Sequence, residues 1–165
     1  MISFTAELER EAEITERVLA RVPEDKLTWK PHVKSMTLGQ LALHTATIPG
    51  GIAAIAAHDA FQLDPARFGN SPQPASHAEI MEAHKASVAA AKTYLDGLTG
   101  ERAEAIWRMS VGDKEMMAIP REWMLRSIMF NHLYHHRGQL SVYLRLLDVP
   151  VPPIYGGSAD ENPFR

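Results

Sequence analysis

Apolar side chains recur every three or four residues in four separate stretches of this chain, a spacing that gathers them on one side only if each stretch winds as an α-helix. The first runs from Phe4 to Val22, where Phe4, Leu8, Ala12, Thr15, Val18, Leu19 and Val22 are separated by Glu and Arg, and Pro23 ends it. The second begins at Thr37. Thr37 and Gln40 form a capping box, in which each side chain accepts a backbone N–H left unpaired in the first turn. Leu38, Leu41, Thr45, Ile48 and Ile52 carry its stripe. Pro49, followed by Gly50 and Gly51, predicts a kink or a break, because proline lacks an N–H and crowds the carbonyl of Thr45. Ser76 and Glu79 repeat the capping pattern before Ile80, Ala83, Ser87, Val88, Ala91, Leu95 and Leu98. The fourth helix runs from Pro120, which suits a first-turn position, to Leu147, with Trp123, Met124, Ile128, His132, Tyr143 and Leu146 on or beside one face.

The connections differ in kind. Residues 58–75, with Pro65, Gly69, Asn70, Pro72 and Pro74, form too long a link for helices packed as immediate antiparallel neighbours, and predict a crossover between the ends of a bundle, or a lid. Residues 101–119 are ambiguous: Val111-Gly112-Asp113-Lys114 reads as a tight turn whose flanks fit short extended pieces. Pro150, Pro152 and Pro153 make 148–165 an extended tail that packs on the helices. With 165 residues, 45% of them apolar, the chain suits one domain, 1–165, of the all-α class, built as a four-helix bundle.

Several functions are excluded by composition. The formal net charge is -3, and no dense Lys/Arg cluster with interleaved aromatics occurs, so nucleic acid is not an expected partner. No apolar run approaches the ~18 residues of a membrane span. The N-terminal MISFTAELER lacks the apolar core of a signal peptide, which with the absence of cysteine fits a cytoplasmic location. The missing cysteine also removes disulfides, Cys-ligated zinc and a protein thiol nucleophile, and there is no G-x-S-x-G elbow.

Histidine is the residue in excess, with eight in the chain. In NHLYHHRGQL, His132 and His136 lie about 40° apart around a helix and one turn apart along it, so both rings can converge on one ion. His135 is rotated away, and suits a supporting or surface role. Arg137 points off this face and suits an ion pair or an anchor for the tail. His44 lies on the same face of the second helix as Gln40, Leu41 and Ile48, where an imidazole needs a partner; a shared metal supplies one, and a hydrogen bond within the core is the competing arrangement. Three imidazoles favour zinc, nickel, iron or copper, and leave coordination positions for water or substrate. Gln139 and Tyr143 are candidate catalytic or orienting groups on the same stripe, and equally fit packing roles. His32, His58, His77 and His84 suit surface, cap or core positions, Gly138 suits close packing against a neighbouring helix, and Met109, Met116, Met117, Met124 and Met129 suit core filling.

The segments Ser35-Met36-Thr37-Leu38-Gly39-Gln40-Leu41 leading to His44, Asn131-His132-Leu133-Tyr134-His135-His136-Arg137-Gly138-Gln139-Leu140 and Val149-Pro150-Val151-Pro152-Pro153-Ile154-Tyr155-Gly156 resemble those of the DinB/YfiT-like family. The resemblance covers nearly the whole chain, and implies an up-down-down-up four-helix bundle. It also implies a nickel or zinc site on His44, His132 and His136, and a homodimer. Some members transfer low-molecular-weight thiols such as mycothiol, bacillithiol or glutathione. The expectation is therefore a metal-dependent enzyme of thiol S-transferase or hydrolase type acting on a small-molecule substrate. The alternatives are a metal-stabilised structural or sensing bundle, and a helical interaction module whose histidines are core residues.

Overall fold

The structure is a computed structural model and describes residues 3–67 and 71–162, so Gly69 and Asn70 of the expected crossover lie outside the described residues. Ser3 opens the first helix, α1 (Phe4–Leu19), by accepting the Ala6 N–H at 3.1 Å. Both arms of the Thr37–Gln40 capping box form, at 3.1 and 3.0 Å, and start α2 (Leu38–Ala56). Ser76 caps α3 (His77–Asp96) through the Glu79 N–H at 3.2 Å.

The expected break at Pro49 does not occur, and α2 runs through it. The neighbouring helix supplies the reason. Gly50 turns its N–H onto the Ser87 hydroxyl of α3 at 2.8 Å. A Cβ on Gly50 would stand 2.9 Å from the Ser87 Cα, so only glycine permits this approach.

Contacts fix the helix directions. Gly50 meets Ser87 and the Ala56 carbonyl accepts from Tyr94, so numbers rise together and α2 and α3 are parallel. Their connection therefore crosses the bundle. Against α3, α1 runs the other way, with Leu19 beside His77 and Ala12 beside His84. The last helical run is parallel to α1, because Arg126 meets Glu7 and Arg137 meets Glu11. Up, down, down, up is the resulting order.

That last run has three parts: α5 (Arg121–Met124), a π-helical stretch (Leu125–Asn131) and α6 (His132–Leu146). In a π-helix the backbone bonds skip five residues instead of four, so each turn takes up more chain. Burial records the change. Met124 and Leu125 are followed at a step of five by Met129 and Phe130, and then at steps of three and four by Leu133, Arg137, Leu140 and Leu144. A constant α-period carried across this stretch misjudges its faces: Trp123 and Leu146, expected on or beside the apolar face, are exposed. A Schellman-type closure ends α6, with Asp148 at φ 56 and the Val149 N–H on the Leu144 carbonyl at 3.0 Å.

The all-α expectation needs correction. A short helix α4 (Gly100–Glu104) leads into a three-stranded sheet of β1 (Ala60–Gln62), β2 (Ile106–Val111) and β3 (Lys114–Pro120), in the order β1-β2-β3. The β2–β3 hairpin closes on the expected turn, with Val111 opposite Lys114 and Gly112 at φ 54. β1 pairs in parallel with β2, Phe61 opposite Met109, so the crossover contributes a strand whose partner lies far along the chain and leaves no local periodicity.

Two buried arginines join the parts. Arg121 closes the end of α2, donating to the Ala56 carbonyl at 2.9 Å and to Asp59 at 2.5 Å. Arg137 holds α1 through Glu11 at 2.7 Å, and the tail through the Tyr155 hydroxyl, the two roles its position suggested. The tail is pinned further by Asp160, which pairs with Arg145 and accepts the Val151 N–H at 2.9 Å. Among the described residues, no helix is long and apolar enough to cross a membrane.

Candidate metal centre

His44 sits mid-way along α2, and His132 and His136 occupy the first two turns of α6, immediately after the π-helical stretch. Their rings meet. His44 Nε2 lies 3.4 Å from His132 Nε2, which lies 2.7 Å from His136 Nε2. Each residue offers a ring nitrogen within 4.8 Å of the other two, and no other such group of His or acidic side chains occurs among the described residues. The ring centroids stand 4.5 to 5.1 Å apart and the planes are steeply crossed. Nitrogens held about 2.0–2.1 Å from a tetrahedral ion are about 3.3 Å from one another. The His44–His132 spacing matches that figure, and the closer His132–His136 pair needs to open by only about half an ångström.

Charge and protonation favour the same arrangement. Burial pushes the pKa of His44 below its ordinary value, and the neighbouring His132 adds to the effect. Burial also lowers His132, partly offset by the Ile128 carbonyl. His136 falls furthest, to about 4, through burial first and then repulsion from His44. Three neutral imidazoles at physiological pH are what a divalent cation needs, since a protonated ring has no lone pair to give.

Outer contacts turn the rings. Gln139 Oε1 lies 2.8 Å from His136 Nδ1; as an acceptor it places the proton on Nδ1 and leaves the Nε2 lone pair facing the cluster. His132 Nδ1 is buried without a well-formed hydrogen bond, although the Ile128 carbonyl faces it and favours a proton there. Ile128 belongs to the π-helical stretch, and such stretches are frequent at functional sites. All three rings are half-buried, so the cluster has an open side.

The other singled-out residues distribute differently. Gln139 orients a ring of the cluster, a role readable from its i+3 spacing to His136. The Tyr143 hydroxyl turns to the Met36 carbonyl at 3.4 Å, and its ring packs edge-on against Trp29. His135 is exposed beside His136. His32 and His58 are exposed, His77 meets the Leu19 carbonyl, and His84 is a core residue on the Ala12 carbonyl. Gly138 is not explained by close packing, since a Cβ there would meet nothing within 4 Å. Of the methionines, Met124 and Met129 are core, Met109 and Met117 are half-buried, and Met116 is exposed. Glu11, the buried partner of Arg137, was not singled out by sequence reasoning, although Glu on an apolar helix face is a readable signal.

Comparison with known proteins points one way. The sequence matches the model of the DinB family over residues 2–162. It is 29% identical over 163 residues to the uncharacterized protein YrdA of Bacillus subtilis, covering 96% of this chain and 89% of that one. The fold is similar to the crystal structure of a DinB-like protein from Bacillus cereus, with TM-score 0.67, 23% identity, and 88% and 91% of the two chains covered. It is also similar to that of the DinB-like protein YjoA from Bacillus subtilis, with TM-score 0.69, 19% identity, and 92% and 96% covered.

Proposed function

The chain belongs to the DinB family, and from that premise we propose that His44, His132 and His136 hold one divalent ion, zinc or nickel, in an open site of a metal-dependent enzyme that transfers a low-molecular-weight thiol or hydrolyses a small molecule. The observation that carries the reading is the convergence of three neutral ring nitrogens with no acidic side chain among them. Nitrogen donors of this kind suit zinc or nickel far better than magnesium or calcium. Such an ion lowers the pKa of a bound thiol or water, so that a nucleophile is present near neutral pH.

The chain's own residues have distinct tasks in this scheme. His44 ties α2 to α6, which fixes the distance between the two walls of the site. Gln139 holds His136 in the tautomer that presents Nε2. His135 is exposed next to His136. The chain has no cysteine, so the thiol has to arrive as a co-substrate.

The test is metal analysis of the purified chain followed by activity assays. One zinc or nickel per chain is expected, lost on His132→Ala. The loaded protein is then assayed with bacillithiol, mycothiol and glutathione against a panel of electrophiles, and with simple esters. Inactivity throughout, with no thiol-induced change in the spectrum of the cobalt-substituted protein, overturns the catalytic reading.

A further inference from the structure

We propose that the apolar cavity walled by the two helical runs that carry the histidine cluster seats the hydrocarbon part of the substrate, a small molecule whose metal-seeking head lies at His44, His132 and His136; this rests on the metal-site reading above. The cavity has a volume of about 410 Å³. One wall is made by Gly51, Ile52 and Ile55 of α2 and by Ile128 of the π-helical stretch. Those are the same two helical runs that carry the histidines. Ile128 lies in the π-helical stretch four residues before His132, and Ile52 follows His44 by eight residues, about 12 Å along the axis of α2. Phe61 of β1 with Trp107 and Met109 of β2 form the opposite wall, so the sheet closes off what would otherwise be an open groove between two helices.

The lining selects the occupant. It consists of apolar residues, so a charged or hydrogen-bonding group placed there would lose its water without compensation. A peptide segment is disfavoured for the same reason, because its backbone N–H and C=O groups would stay unpaired. An alkyl chain or ring system has no such penalty. A cavity of about 150 Å³ lined by similar side chains accommodates benzene, so the volume here suits a longer chain or more than one ring. Its polar end then has to leave the cavity, and the histidines stand on the helices that wall it.

Gly51 makes the idea testable without harming the fold. It is exposed at the cavity, and a Cβ built on it would meet nothing within 4 Å. Gly51→Leu therefore puts a side chain over the cavity while improving the helix. Octan-1-ol and octane-1-thiol are titrated into the full chain, with and without zinc, following the Trp107 indole N–H by NMR. That signal is assigned with Trp29→Phe and Trp123→Phe. Octan-1-ol is expected to shift the Trp107 signal saturably without zinc, and Gly51→Leu to weaken its binding at least tenfold with zinc content unchanged. Octane-1-thiol is expected to bind the zinc-loaded chain at least tenfold more tightly than octan-1-ol, a gain removed by His132→Ala. No saturable shift with octan-1-ol, or equal affinities in the parent and Gly51→Leu, overturns the cavity as a binding site. Binding that Gly51→Leu blocks, with no gain for the thiol on zinc, overturns the metal-held head instead and separates the failure of the metal reading from that of the cavity.

Discussion

His136 and Arg137 are neighbours in sequence and, about 100° apart around α6, meet different partners. Arg137 enters the core at 1% exposure, where it donates to the Glu11 carboxylate at 2.7 Å, to the Thr15 hydroxyl at 3.1 Å and to the Tyr155 hydroxyl, which itself donates to Glu11 at 2.8 Å. Arg126, Glu7 and Tyr134 repeat the pattern nearer the start of α1, with both guanidinium arms on Glu7 at 2.6 Å and the Tyr134 hydroxyl donating to it at 2.6 Å. Arg126 holds Glu7 below the usual carboxylate range, and burial together with Glu7 keeps Tyr134 protonated. In these networks each charge meets its opposite. The histidine cluster is built the other way, from three basic rings without an acid. A buried network that balances its own charge is a strut, whereas half-buried ring nitrogens gathered without an acid are suited to a cation from outside.

The comparison breaks most readily at the strut. Arg137→Leu leaves the Glu11 carboxylate buried without its partner, and a loss of about 3–5 kcal/mol in urea unfolding is expected, with zinc per folded chain unchanged. A loss below about 1 kcal/mol would remove the strut from the argument. His132→Ala should do the reverse. Spreading the free energy of a structural zinc site over its ligands gives about 3 kcal/mol each, so zinc affinity measured by competition with a chelator should fall about 100-fold or more. The metal-free stability of that variant should stay within about 1 kcal/mol of the parent.

Smaller changes sharpen the contrast. Gln139→Leu frees the His136 ring and should cost about 10–100-fold in zinc affinity with an unchanged urea midpoint. Tyr155→Phe removes the hydroxyl that bridges Arg137 and Glu11, and should lower stability by about 1 kcal/mol while leaving zinc binding alone. Acid gives a graded effect. The three cluster histidines and His84 have pKa values lowered by burial, His136 to about 4. The unfolded chain takes up these protons near pH 6.5 and the folded chain only below that, so stability is full above about 6.5 and is lost as pH falls towards 4. Thermal melts of the metal-free protein should show this slope. Replacing all three cluster histidines by alanine should flatten it, leaving the part due to His84.

Much of this was legible because the signals are local. The Thr37–Gln40 and Ser76–Glu79 patterns placed the starts of α2 and α3, and the i,i+4 spacing put His132 and His136 on one face. The turn at Val111–Lys114 was equally readable. What was hidden depends on partners distant in the chain. Pro49 is tolerated because Ser87 accepts the following N–H, β1 exists because β2 pairs with it, and Trp123 faces solvent because the π-helical stretch shifts the phase of its helix.

By itself the sequence determined which segments wind into helices, where most of them begin, and that two histidines share a helical face, since each of these follows from periodicity and capping within a few residues. Tertiary structure alone decided that His44 meets them, that the crossover supplies a strand walling an apolar cavity, and that Glu11 is the acid buried with Arg137. The reason is that helical periodicity fixes the face a side chain occupies, while its partner is fixed only when helices pack and each buried charge or lone pair must be matched across the interface.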